Sequence, residues 1–165
     1  METLRAYRIV KTKRAASAFD GEGARRAGGR WITPGTRLVY LAESVALAML
    51  EVLVHLDDIS LRAVYSFVPI WFPHSCVAVP GQNQMPPLPS NWAEVPAPAQ
   101  CGLYGNEWIA SGRSLALRVP SVVVPWESNF LLNPQHPDFA RAEIGPAQSF
   151  DLDGRLLEKL GNLLD

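Results

Sequence analysis

The segment from Ser44 to His55, Ser-Val-Ala-Leu-Ala-Met-Leu-Glu-Val-Leu-Val-His, constrains this chain more than any other stretch. It reads as one helix that is apolar on every side, and a helix without a polar face belongs inside a protein. Ser44 is its N-cap, and His55 falls in its last turn, where a cation suits the negative end of the helix dipole. Glu51 is the one acid within it. A buried carboxylate is expensive unless something pairs with it, so the fold must bring Glu51 a partner. Two more polar residues stand in equally costly places. Arg30 follows two glycines and precedes Trp31, and Ser121 interrupts the apolar run Leu117 to Val124.

The rest of the chain reads as strands and loops around that helix. Residues 4–10, 38–41, 59–71, 115–124 and 129–134 carry alternating or β-branched patterns. Pro120 places the fourth of these at an edge or a bulge. Residues 20–37, rich in glycine and arginine, read as a loop whose backbone can approach a ligand closely. Residues 80–98 hold six of the 14 prolines and read as an ordered surface loop. Residues 106–111 suggest a short helix around Trp108, and residues 156–164 a closing helix. The sum is a single α+β domain over residues 1–165, with a mainly antiparallel central sheet and flanking helices.

With 165 residues and 48% hydrophobic side chains, the chain is long and apolar enough for one substantial core. Fifteen Lys and Arg against 16 Asp and Glu leave a net charge of -1. That balance gives no reason to expect nucleic acid or an anionic membrane as a partner. The longest apolar run is far short of the roughly 20 residues a membrane span needs, and no secretory signal is visible, so the expected location is the cytoplasm. Cys76 and Cys101 lack metal-ligand spacing and read as reduced thiols. His55, His74 and His136 lie too far apart to suggest a metal or a His-based triad.

Each candidate has a plain alternative. Glu51 can be a structural carboxylate that reaches the surface or pairs with an arginine, and Arg30 a surface cation stacked on Trp31. Ser121, taken as sharing a strand face with Leu117, Val119 and Val123, can be a core serine bonded to backbone. Tyr40, alternating with Leu38, can be a core tyrosine or a platform for a flat ring. Asn129, Asn133 and Asp138 read as turn formers around Pro134 and Pro137. The glycines match neither a dinucleotide fingerprint nor a Walker motif, and nothing resembles a nucleophile elbow.

Taken together, four stretches resemble the RES domain family. They are Gly-Glu-Gly-Ala-Arg-Arg-x-Gly-Gly-Arg-Trp at 21–31, Val-Tyr-Leu-Ala-Glu-Ser-x-Ala-Leu-Ala-x-Leu-Glu-Val-Leu-Val-His at 39–55, Leu-Arg-Val-Pro-Ser-Val-Val-Val-Pro at 117–125 and Asn-Phe-Leu-Leu-Asn-Pro-x-His-Pro-Asp-Phe at 129–139. The family is named for an arginine, a glutamate and a serine, which Arg30, Glu51 and Ser121 match. Ile32 departs from the asparagine many relatives carry, a change expected to adjust the loop rather than abolish activity.

The resemblance implies an ADP-ribosyltransferase-like fold and a bacterial toxin partnered by a helix-turn-helix antitoxin. It also implies that NAD+ is depleted as a substrate, with no permanently bound cofactor. On that reading Glu51, Arg30 and Ser121 are catalytic, and Arg8, Arg30, Tyr40, Ser121 and Asn129 contact NAD+. Glu51 would stabilise the charge that builds on the ribose as nicotinamide leaves, and Arg30 and Arg8 would take the pyrophosphate. Transfer of ADP-ribose to a protein is the nearest alternative. A non-catalytic module that binds antitoxin or nucleotide is another, and an RNA-cutting toxin is disfavoured by charge and by the lack of an acid–base pair. Trp71, Phe72 and the proline-rich loop suggest apolar surface for a homodimer.

Overall fold

The computed structural model describes residues 2–55 and 63–164. Eight strands form one sheet: β1 (Thr3–Lys11), β2 (Val39–Ala42), β3 (Tyr65–Pro73), β4 (Val77–Ala78), β5 (Ala116–Pro120), β6 (Ser128–Leu132), β7 (Glu143–Ile144) and β8 (Gln148–Phe150). They lie in the order β4-β5-β6-β2-β1-β3-β7, with β8 also paired to β3. All pairings are antiparallel except β4 with β5. Among the described residues the α-helices are α1 (Glu22–Ala27), α2 (Val45–Leu53), α3 (Ala99–Ser111) and α4 (Gly154–Leu164). This is the expected α+β domain with a mainly antiparallel sheet.

Strand alternation sorts the core into two faces. Ala6, Val39, Leu41, Val68, Ile70, Phe72, Phe130 and Leu132 share one face with Ala18 and Phe19. Leu38, Leu117, Val119 and Leu131 point the other way, onto Trp31, Ile32 and the α3 residues Cys101, Tyr104 and Trp108. At the end of that second face, α2 packs Leu47 and Ala48 on Ala42, beside Tyr7, Ile9 and Val124.

The helix around Glu51 forms where expected, with the Ser44 Oγ accepting the Leu47 N–H at 3.0 Å. It is not wholly buried, however. Leu47 and Ala48 are covered, while Leu50 is 41% exposed, Val54 is 56% exposed and Ala46 is open to solvent. Residues four apart share a helix face, so one flank rests on the sheet and the stripe at 46, 50 and 54 faces outward. His55 lies in the turn beyond the helix.

Other boundaries differ from expectation for local reasons. The segment 20–37 is not all loop, because Glu22 bonds Arg25 and Arg26, the i+3 and i+4 pairs that support α1. The helix at Trp108 begins at Ala99, not Asn106. Its glycines lower helix propensity, yet Gly105 lies so close to the Trp31 carbonyl that a Cβ there would overlap it. The strand read over 59–71 appears as β3 from Tyr65; residues 59–62 of it lie outside the described residues. The strand read over 115–124 stops at Pro120, so Ser121 sits past its end and not on its face. Phe72, expected at the surface, is fully buried.

Candidate functional site

Glu51 is reached from two neighbouring strands. Ser121 follows β5 and is completely buried, and its Oγ donates to Glu51 Oε1 at 2.7 Å. The same Oγ accepts the backbone N–H groups of Val123 at 3.0 Å and Val124 at 2.9 Å. A hydroxyl has one proton and two lone pairs, and here every one is used. The two amides consume the lone pairs, so the proton has to go to the carboxylate. Asn129 of β6 donates Nδ2 to the same Oε1 at 2.6 Å. Glu51 Oε1 thus holds two donors, while among the described residues no hydrogen bond is seen to Oε2. Among the described residues the partners of Glu51 are a serine and an asparagine, with no arginine in hydrogen-bond contact.

Tyr40 on β2 shares the sheet face of Asn129, since Tyr40 pairs with Leu131 and Ala42 with Asn129. Two strand positions separate them, about 7 Å. The Tyr40 hydroxyl accepts the Trp31 N–H at 3.1 Å and presses on Gly29, where a Cβ would collide with it. Burial pushes the Tyr40 phenol up to about 12. Gly29, directly before Arg30, therefore makes room for a tyrosine ring.

Arg30 does not reach Glu51. Its Nη1 donates to the carbonyls of Trp92 at 2.7 Å and Glu94 at 2.8 Å, clamping the proline-rich loop. Trp92 stacks on Trp31 with ring centroids 6.4 Å apart. Loop and arginine are one unit, which the sequence showed only as two separate oddities. A cleft of about 320 Å3 opens along Gly28, Gly29 and Arg30, with the start of α3 as its other wall.

Arg8 also stands apart from the carboxylate. It pairs with Val68 and lies on the face of Ala6, opposite that of Tyr7. There its Nη1 donates to the Tyr40 carbonyl at 2.9 Å, at the seam where β1 and β2 share one register pair, Tyr7 with Ala42. Its Nε is buried without a hydrogen-bond partner. Burial lowers the Arg8 pKa, with Asp20 opposing.

So the structure joins Glu51, Ser121 and Asn129, sets Tyr40 between them and the Arg30 cleft, and leaves Arg8 behind the seam. Cys76 and Cys101 are free and buried, and burial raises both thiols, the opposite of what a nucleophile needs. Among the described residues no helix is long and apolar enough to cross a membrane.

Comparison with known proteins bears on this arrangement. A family model described as the RES domain matches residues 5–153. A protein named Toxin Res from Yersinia enterocolitica is 43% identical over 152 residues, covering 91% of this chain and 97% of its own. A protein named Prs ADP-ribosylating toxin from a Sphingobium species is 38% identical over 160 residues, covering 93% of this chain and 96% of its own. Among solved structures, a chain from the M. tuberculosis MbcT–MbcA toxin–antitoxin complex superposes with a TM-score of 0.71 at 23% identity. That match covers 96% of this chain and 89% of the other, and it shows a shared fold.

Proposed function

This chain belongs to the RES domain family, and we propose that it is the toxin of a toxin–antitoxin pair, one that depletes NAD+ by breaking its nicotinamide–ribose bond. The observation that carries this reading is the single-sided grip on Glu51. Two donors fix Oε1, so the carboxylate is oriented and its other oxygen is left to act. As the bond from ribose C1' to the nicotinamide nitrogen breaks, its electron pair leaves with the ring nitrogen, which becomes neutral. Positive charge then develops on the sugar, and a fixed carboxylate beside it stabilises that charge. Water attacks C1' and loses a proton to solvent, giving ADP-ribose, or phosphate attacks in its place.

Ser121 orients Glu51, and Tyr40 offers a ring face to the nicotinamide or ribose. The cleft beside Arg30 receives the pyrophosphate end. One Arg30 nitrogen is spent on the loop carbonyls, and the remaining N–H groups, for which no hydrogen bond is seen among the described residues, suit phosphate oxygens. We further propose that the chain acts in the cytoplasm with an antitoxin of helix-turn-helix type; that a structural neighbour comes from a toxin–antitoxin complex supports an antitoxin partner. The outward stripe of α2 and the 92% exposed Trp126 offer apolar surface for that partner or for a homodimer.

The name of the Sphingobium relative favours a second reading, in which ADP-ribose passes to a protein side chain instead of water or phosphate. Incubation with NAD+ labelled in the adenylate half decides between them. Label in free ADP-ribose or its phosphate ester supports degradation, and label on a macromolecule supports transfer. Intact NAD+ in both cases would refute the enzymatic reading.

A further inference from the structure

Resting on the NAD+-cleaving reading, we propose that Asn129 is a positioning residue that fixes Glu51 for catalysis at a cost to the stability of the fold. Asn129 lies in the middle of the sheet, paired with Ala42 of β2 on one side and Val119 of β5 on the other. It shares its face with the fully buried Leu131. Folding alone would place a β-branched or aliphatic side chain at such a position. The amide makes one side-chain hydrogen bond, from Nδ2 to Glu51 Oε1 at 2.6 Å. Its Oδ1 is buried and has no hydrogen-bond partner.

The orientation of the amide follows from chemistry. Turned over, it would set Oδ1 against a carboxylate oxygen, and two acceptors repel. The orphaned acceptor is therefore the consequence of donating to Glu51. A buried polar atom left unbonded lowers stability, and native proteins keep such atoms where a site requires them.

The gain is a second constraint on the carboxylate. Ser121 alone would leave the carboxylate free to swing about one hydrogen bond. A second donor on the same oxygen, arriving from the neighbouring strand, fixes the plane of the group and the direction of Oε2. Asn129 works through Glu51 and does not itself need to touch NAD+. Groups that orient a catalytic side chain in this way typically contribute about 10- to 100-fold.

The test compares Asn129→Leu and Asn129→Asp with the wild-type chain, measuring kcat, KM for NAD+ and thermal stability. Asn129→Leu keeps the number and branching of the side-chain heavy atoms and removes both polar atoms. It is expected to lower kcat about 10- to 100-fold, shift KM by less than about threefold, and melt at the wild-type temperature or above it. Asn129→Asp is isosteric but cannot donate, so kcat falls at least as far. Full turnover by Asn129→Asp would overturn the proposal, because a purely structural role needs only the shape. So would a rise in KM at unchanged kcat, which marks a substrate contact, or a drop in melting temperature with Leu, which marks a packing role. Absence of NAD+ turnover by the wild-type chain would overturn the underlying reading and this one together. Wild-type turnover with an indifferent Asn129 would overturn this one alone.

Discussion

Replacing Ser121 by alanine tests both functions of one oxygen atom. The Oγ accepts from the amides of Val123 and Val124 and donates to Glu51. Removing it leaves two backbone N–H groups without their acceptor. A buried unsatisfied donor costs about 1–3 kcal/mol. Residues 122–124 are half-buried, so water recovers part of that, and the expected loss is about 2–3 kcal/mol. For a chain of this length that corresponds to a fall of roughly 5–10 °C in Tm. Losing the hydrogen bond to Glu51 appears separately, as a decrease of about 10- to 100-fold in kcat for NAD+ cleavage. Urea unfolding gives the first number and steady-state kinetics the second. The midpoint is expected to shift at constant m-value. A stability change under about 0.5 kcal/mol, or wild-type kcat, would refute the argument that this hydroxyl holds the turn and the carboxylate together.

Two further expectations follow from packing and burial. Gly105→Ala drives a methyl group into the Trp31 carbonyl and is expected to cost more than about 3 kcal/mol or to prevent folding, read by circular dichroism and denaturant titration. Tyr40 keeps its proton to about 12 in the folded chain against an ordinary value of 10.0. Above pH 10 the unfolded chain binds fewer protons than the folded one, so stability falls as pH rises from about 10 towards 12. Tyr40→Phe should flatten part of that decline and lower neutral-pH stability by about 1 kcal/mol through the lost acceptor for the Trp31 amide. An unchanged alkaline slope in that variant would contradict the burial argument.

What could be read from the sequence divides along physical lines. Glu51 and Ser121 were visible because a polar group among apolar neighbours has to be bonded, and each is bonded to the other. Helix α2 was visible from its cap and its length, and the strands from alternation. The identity of the third partner was hidden, because Asn129 is 78 residues from Glu51 and nothing local ties it to that helix. Its two-residue spacing from Leu131, within the strand read over 129–134, was the sign that both share a strand face. Arg30 was singled out correctly as unusual, but its bonds go to backbone carbonyls 62 and 64 residues away, which carry no sequence signature. The extent of α3 was lost because Gly102 and Gly105 look like helix breakers locally and act as points of close approach to Thr33 and Trp31. The outward stripe on α2 was misjudged because hydrophobicity alone does not say which flank the fold will cover.

The most direct test of the account is NAD+ consumption by purified, antitoxin-free protein, with and without phosphate, beside Glu51→Gln. The substitution is well suited to this site. The glutamine carbonyl can take the place of Oε1 and keep the bonds from Ser121 and Asn129, so the charge at Oε2 is what changes. The account predicts that wild-type protein removes NAD+ and releases nicotinamide, that the product reveals water or phosphate as acceptor, and that Glu51→Gln binds NAD+ but loses at least about 100-fold in turnover. Normal turnover by Glu51→Gln would contradict the role given to the carboxylate. Intact NAD+ with the wild-type chain, and no label on any protein of a lysate, would leave a binding module in place of an enzyme.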